Sequence, residues 1–345
     1  MNKHNYTEKE NINFSKLEQR LMDINSKDIG KYEQLKELIL KLSKDKRPTL
    51  IMATGGSKTV ASFLQLVLED KEIAGIICEV IEPRDYYHKD NINMYSNLVA
   101  ISASGKSNGI VEALNNFSGN RYLITEKEKG EEKEYEVVAW GNENYESERS
   151  FISLATSLGP ISLLLDYIEA HSGEIAKETI EKVNEKIKCL IRRSKDKIDE
   201  LEASFKDTSI FQIMSGYETS PSAVTLESNI VETGLGAAVI HDKGAYCHGR
   251  SNLIYRYPNS FIFYLAHSFN ELDELLLETL KKEYENIQVI TADDLDDNKF
   301  WKEFYLLLQM YFLSKKIADD KEIDLTQPEY NPNVIKKVYT YRGEM

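Results

Sequence analysis

The stretch Thr49-Leu-Ile-Met-Ala-Thr-Gly-Gly-Ser-Lys58, continued by TVASFLQLVLE up to residue 69, decides the fold. An apolar run typical of a buried strand is followed by a turn of small and hydroxyl residues and then by apolar residues at helical spacing. The same order recurs about 160 residues later in residues 209–232, SIFQIMSGYETSPSAVTLESNIVE. Recurrence at that distance indicates a duplicated domain rather than a short repeat unit.

Strands and helices alternate on both sides of these two stretches. IAGIICEVI, NLVAISAS, RYLIT and YEVVAW read as further strands of the first half, and GAAVIH, NSFIFYLAH and IQVIT read as strands of the second. Such alternation predicts an α/β fold with two doubly wound, parallel-sheet domains of the flavodoxin-like type, preceded by a helical extension. The predicted parts are an N-terminal helical extension (1–47), a first domain (48–172), a connecting helix (173–205), a second domain (206–325) and a C-terminal tail (326–345).

Composition narrows the classes of function. The chain has 345 residues, a formal net charge of -14 and three cysteines without framework or metal-ligand spacing. A strongly negative chain repels nucleic-acid backbones, and no run approaches the roughly 20 apolar residues that span a bilayer. The first residues lack the apolar core of a secretion signal. We therefore expect a cytoplasmic protein without nucleic-acid or membrane partners, and no metal or redox cofactor is implied.

Two loops have the composition of anion-binding sites. Thr54-Gly55-Gly56-Ser57 follows the first strand, and Ser102-Ala103-Ser104-Gly105-Lys106-Ser107 follows NLVAI and opens a helix. In a doubly wound sheet, ligands bind at the carboxyl ends of the strands, where free N–H groups of helix N-termini attract anions. The alternative is that each loop is only a tight turn with a Ser helix cap. Two such loops at corresponding places favour the functional interpretation.

A nucleotide-binding alternative comes from the same residues. Ala100 to Ser107 matches a relaxed Walker A pattern in which Ala replaces the first Gly. Ala100 and Ile101 read as strand interior, however, and no convincing Walker B strand follows. The P-loop-like interpretation is therefore the least favoured of those kept.

The run S-x-S-G-x-S, here Ser102, Ser104, Gly105 and Ser107, resembles the phosphate loop of the sugar isomerase (SIS) domain family. Ser57, after Gly56, falls where the family has another phosphate-binding hydroxyl, and we assign Thr54 to the same group. The duplication extends the resemblance to most of the chain, as in double-SIS proteins. The resemblance implies a phosphorylated sugar or sugar-amine as ligand, and an aldose–ketose isomerase or a fructosamine-phosphate-type deglycase as function.

The resemblance also implies the acid–base residues. Glu232 precedes His248 by 16 residues, as the Glu base precedes the His-Gly in the isomerase module of glucosamine-6-phosphate synthase and in the deglycases. A carboxylate is a suitable base beside a carbonyl or imine, and a histidine can open the sugar ring. Lys336 aligns with the synthase lysine, which could form a Schiff base or neutralise charge. Glu227 is a rival base if the alignment shifts.

Departures from the family leave the function open. The chain has His248-Gly249-Arg250 where the family has His-Gly-Pro, and Arg250 could bind a second acidic group of the ligand. Glutaminase and DNA-binding domains of related proteins have no counterpart in this sequence. An enzyme and a non-catalytic phosphosugar sensor both remain compatible with it. We expect a homodimer or a higher homo-oligomer, in which His248 could act in cis or in trans.

Overall fold

The computed structural model describes residues 13–27, 29–127, 134–141, 148, 152–170 and 177–325. Two separate sheets organise these residues, and every strand pair in them is parallel. The first sheet has the strand order β2-β1-β3-β4-β5, and the second has the order β7-β6-β8-β9. The predicted class, with two doubly wound parallel-sheet domains, is confirmed.

The first half carries its five strands among helices on both faces. Its elements are α1 (Leu17–Lys27), α2 (Ile29–Asp45), β1 (Thr49–Met52), α3 (Ser57–Glu69), β2 (Cys78–Ile81), β3 (Asn97–Ile101), α4 (Asn108–Asn116), β4 (Asn120–Thr125), β5 (Glu136–Ala139) and α5 (Ala155–Glu169). Single helical turns occur at Pro83–Tyr86 and Ile92–Met94. Both α1 and α2 fall in the predicted helical extension.

The second half repeats this arrangement with four strands. Its elements are α6 (Lys177–Asp199), β6 (Ile210–Ser215), α7 (Ser220–Glu232), β7 (Ala237–Asp242), α8 (Asn252–Arg256), β8 (Phe261–Ala266), α9 (Glu271–Glu283), β9 (Ile287–Thr291) and α10 (Lys299–Lys321). Short turns occur at Tyr217–Thr219, Lys243–Ala245 and Tyr246–Arg250. By order and position, β6 corresponds to β1 and α7 corresponds to α3.

One continuous core joins the halves. β3 and β8 are buried along their whole length, as expected for parallel strands covered on both faces. The core includes Ile51 of the first sheet, Phe263 of the second and most of α10, so the helices between the sheets pack against both. No helix among the described residues is long and apolar enough to cross a membrane, even though α10 is largely buried.

The equivalent helices α3 and α7 pack against each other in opposite directions. Near the start of α3, the Thr59 hydroxyl lies 2.7 Å from the Thr225 hydroxyl in the middle of α7. At the other end, the Tyr217 hydroxyl, just before α7, donates to the last residue of α3, Glu69. This antiparallel packing brings the end of α7 to the carboxyl edge of the first sheet.

Candidate functional site

The loop Thr54 to Ser57 leaves the carboxyl end of β1 and enters α3. Gly55 has φ +55°, in the left-handed region that favours glycine, so its backbone turns sharply at this point. Gly56 caps α3 without a side-chain hydrogen bond. Thr54 is exposed, and Ser57 is half-buried at the first position of the helix. The loop therefore presents hydroxyls beside a helix N-terminus that no side chain caps.

The loop Ser102 to Ser107 has the same character at the end of β3. The Gly105 N–H donates to the Ser102 hydroxyl at 3.2 Å, and Gly105 itself has φ +58°. A Cβ on residue 105 would lie 3.0 Å from Thr125 Oγ1, so a larger residue would require Thr125 to shift and would also be strained by the positive φ. Ser107 caps α4 without a side-chain hydrogen bond, and Ser104 is exposed.

The three serines of this loop have different roles in the structure. Ser102 is only 6% exposed, and its hydroxyl accepts the Gly105 N–H, which makes it a brace of the loop. The Ser104 hydroxyl likewise accepts the Lys106 N–H at 3.2 Å, but Ser104 is exposed, and Ser107 is half-buried at the start of α4, so both can meet a ligand. Of the predicted hydroxyl donors in this loop, Ser104 and Ser107 are the better placed.

The two loops lie side by side. Met52 of β1 is in register with Ala100 of β3, so residues 54–57 and 102–107 leave adjacent strands at the same level. Adjacent strands are about 4.8 Å apart. Two helix N-termini without side-chain caps therefore share one edge, which is a favourable environment for an anion.

Glu232 lies over the first of these loops. It is the last residue of α7 and is exposed, and its Oε1 accepts the Ser228 hydroxyl at 2.8 Å. A Cβ on residue 55 would be only 3.4 Å from the same Oε1. The second half therefore contributes a carboxylate directly against the glycine loop of the first half.

Glu227, the rival base, lies one turn earlier on α7 and is half-buried. Burial raises the pKa of its carboxyl; Lys58 opposes this rise, and the charges of Glu232 and Glu82 add to it. Lys58 is held by Glu82 through a contact of 2.7 Å. Glu227 and Glu232 thus belong to one cluster of charges at the mouth of the site.

The structure adds residues that the sequence did not suggest. Ser153, from the segment before α5, has its Cβ 3.4 Å from the place that a Gly56 Cβ would take, and Ser157 Oγ donates to the Gly56 carbonyl at 3.3 Å. Glu148 accepts the Thr156 N–H at 3.0 Å and pairs with Arg20 of α1 at 2.9 Å. These contacts join elements that are distant in sequence, so no local motif predicts them.

His248 lies far from Glu232 within the chain. α7 runs against the direction of β6, so Glu232 lies at the amino edge of the second sheet, where Ala237 N also donates to Ser209 O. His248 follows β7 and lies at the carboxyl edge. Because α7 has 13 residues, and a helix rises about 1.5 Å per residue, about 20 Å separates the two edges.

The remaining predicted residues are placed as follows. Arg250 Nη1 lies 3.5 Å from Nδ1 of the buried His241 and so belongs to the carboxyl edge of the second sheet. Lys336 lies outside the described residues. No group of three or more His, Cys, Asp or Glu side chains among the described residues could hold a metal ion.

Comparisons with known proteins agree with the fold. The C-terminal domain of glucosamine-fructose-6-phosphate aminotransferase from Francisella tularensis superposes with a TM-score of 0.65 at 18% identity, covering 95% of this chain and 98% of that one. Glucosamine-6-phosphate deaminase from Thermotoga maritima gives a TM-score of 0.64 at 16% identity, covering 91% and 98%. No family model and no curated protein matches the sequence. At these identities the likeness shows the fold, and the double-SIS fold predicted from the sequence is confirmed.

Proposed function

We propose that the chain binds a phosphorylated sugar or sugar-amine at the carboxyl edge of the first sheet and acts on it as an aldose–ketose isomerase or a deglycase. The proteins that share its fold include a glucosamine-6-phosphate deaminase and an aminotransferase domain named for fructose 6-phosphate. The ester phosphate would sit at the N-termini of α3 and α4, with Ser57, Ser104 and Ser107 as hydroxyl donors. Thr54 would contact it from the loop.

The observation that carries this proposal is the position of Glu232. Its carboxylate faces the Gly55 loop, next to the two helix N-termini that no side chain caps. A sugar held there by its phosphate would bring its carbonyl end within reach of a carboxylate base. Removal of the proton beside that carbonyl, followed by return of the proton to the neighbouring carbon, gives isomerisation. When C1 carries an amine, removal of a C1 proton and return of a proton to C2 give a C1 imine; water then adds to that imine and the amine leaves, which is deglycation.

The ring-opening role proposed for His248 requires a second copy of the chain. Within one chain, about 20 Å separates its edge of the second sheet from Glu232, because α7 is 13 residues long. An imidazole at that distance cannot donate to a sugar bound beside Glu232. We therefore propose that His248, with Arg250 beside it, reaches the site of a partner protomer.

The same distance favours a second candidate, a phosphosugar sensor. If the protein is a monomer, the site contains Glu232 without its histidine, and binding without turnover is the expected behaviour. Measurement of the molecular mass in solution, alongside turnover, separates the two. A dimer that turns over its ligand supports the enzyme, whereas a monomer that only binds supports the sensor.

A thermal-shift screen of sugar phosphates, sugar-amine phosphates, ATP and GTP tests the ligand class. We expect stabilisation by one or more sugar phosphates and none by nucleotides with magnesium, which would instead support the P-loop-like alternative. Turnover of the best ligand is then compared in Glu232→Gln and Glu227→Gln. Loss of a positioned base costs about 10²- to 10⁴-fold, so Glu232→Gln should lose at least about 100-fold in kcat while binding persists. If Glu227→Gln loses the activity and Glu232→Gln keeps it, the base has been misassigned.

A further inference from the structure

A buried tyrosine of α10 contacts a segment that lies beside the first-half site. Tyr311 on α10 is 2% exposed, and its hydroxyl donates to the backbone carbonyl of Ser153 at 3.2 Å. α10 belongs to the second half and Ser153 to the first, 158 residues apart in sequence. This bond therefore ties a helix of one half to the wall of a site in the other.

The Ser153 segment in turn lies against the glycine loop. Ser153 Cβ lies 3.4 Å from the place that a Cβ on residue 56 would take, which is ordinary van der Waals distance, and Ser157, in the first turn of α5, donates to the Gly56 carbonyl at 3.3 Å. The segment therefore packs closely against the loop between β1 and α3. A shift of Ser153 would change the support of that loop.

The Tyr311 hydroxyl is influenced by two carboxylates of the site. Burial raises its pKa above the usual value, a side-chain hydrogen bond with Ser157 opposes this rise, and the charges of Glu148 and Glu232 add to it. The hydroxyl therefore remains protonated and keeps its donor function throughout the physiological range. Glu148 is itself held by Arg20 at 2.9 Å and accepts the Thr156 N–H at 3.0 Å, so it also holds the start of α5, next to Ser153.

We propose that Tyr311 is a positioning residue of the first-half site: its hydroxyl holds the Ser153 segment against the Gly55-Gly56 loop, beside Glu232. The expected effect of Tyr311 on ligand binding rests on the proposed function, because the position of the segment affects binding only if a sugar binds there. The contact itself exists independently of the ligand. The proposed phosphate site also includes the start of α4, which this contact does not hold.

The test compares two tyrosines of one helix. Tyr311→Phe removes the bond to Ser153, and the control Tyr305→Phe removes an equally long bond of 3.2 Å from the Tyr305 hydroxyl to Asp294 Oδ2 at the second sheet. With fructose 6-phosphate as the probe, we expect Tyr311→Phe to weaken binding about fivefold, as one hydrogen bond would. Inorganic phosphate, which also contacts the start of α4 and has no sugar, should lose less affinity than fructose 6-phosphate in Tyr311→Phe. Equal fructose 6-phosphate affinities in the two variants would overturn the inference.

Hydrogen exchange tests the contact without any ligand. Amides of residues 152–158 should exchange faster in Tyr311→Phe than in the wild type, and Tyr305→Phe should leave them unchanged. Unchanged exchange in Tyr311→Phe overturns the inference whatever the protein binds. If wild-type protein binds no sugar phosphate, the proposed function fails, and the exchange result still decides whether Tyr311 holds the segment.

Discussion

The two halves repeat one topology but treat their helix N-termini in opposite ways. In the first half, α3 and α4 begin at Gly56 and Ser107 without a side-chain cap. In the second half, carboxylates of the chain itself contact the N-termini of the corresponding helices, α7 and α9. Glu303 Oε1 accepts the Ser222 N–H in the first turn of α7 at 2.7 Å, and Asp273 forms a capping box at the start of α9.

The second-half carboxylates are also neutralised internally. Glu303 is fully buried, burial raises its pKa, and His267 Nε2 lies 2.9 Å from Oε2. Burial alone would raise the pKa of Asp273 as well, but Lys243 at 2.8 Å, the Tyr264 hydroxyl and the Asn270 N–H hold it below its usual value. The second half thus supplies the anions that its helices attract. With the proposed ligand in the corresponding place of the first half, we expect one phosphate ester per chain.

Glu303→Ala gives the largest expected effect. It removes the carboxylate from the start of α7 and leaves the buried His267 ring without that partner. Breaking a buried pair of this kind costs about 3–5 kcal/mol. Urea unfolding should show the loss, whereas Ser107→Ala, at a first-half helix start that no side chain caps, should alter the free energy of unfolding by less than about 0.5 kcal/mol. Similar stabilities of the two variants would remove the distinction between the halves.

Binding should show the reverse order. Ser107→Ala removes a hydroxyl from the proposed phosphate site, and a hydrogen bond to a charged group contributes enough for about a tenfold loss of affinity. Asn270→Ala removes the matching side-chain cap at the start of α9, where Asn270 Oδ1 accepts the Asp273 N–H at 2.9 Å. It should cost about 1 kcal/mol of stability and leave affinity unchanged. Calorimetry with inorganic phosphate measures the affinity of both variants. A larger loss of affinity in Asn270→Ala would place the anion in the second half.

Local sequence was sufficient for the fold and for the loops. Apolar strands followed by small-residue turns predicted both sheets, and the helices α1 and α2 fall in the predicted helical extension. The loops at Gly55 and Gly105 need glycine because both residues have positive φ, which is a local requirement that the sequence records.

The distribution of roles within the site was not predictable from local sequence. Ser102, Ser104 and Ser107 look alike in the motif, and only burial shows that Ser102 braces the loop. The contacts of Tyr311 with Ser153 and of Glu303 with Ser222 span 158 and 81 residues, so no local pattern carries them. The separation of Glu232 from His248 was predictable in principle, since a helix of a doubly wound sheet runs against its strands.

The smallest expected effect concerns Glu227, whose carboxyl has a raised pKa because of its burial at the first-half site. The folded state holds this proton more tightly than the unfolded chain does. The resulting stabilisation is complete below the unfolded pKa of about 4.3 and is lost as pH rises through the higher folded value. Glu227→Gln should therefore match the wild type near pH 4 and exceed it at pH 7, by only a few tenths of a kcal/mol because the group is partly solvated. Melting temperatures across this range test the sign, with the exposed Glu285→Gln as control. A gain in stability together with weaker turnover would mean that Glu227 lowers the stability of the first half but is needed for its ligand. The buried carboxylates of the second half, in contrast, are paired within the protein.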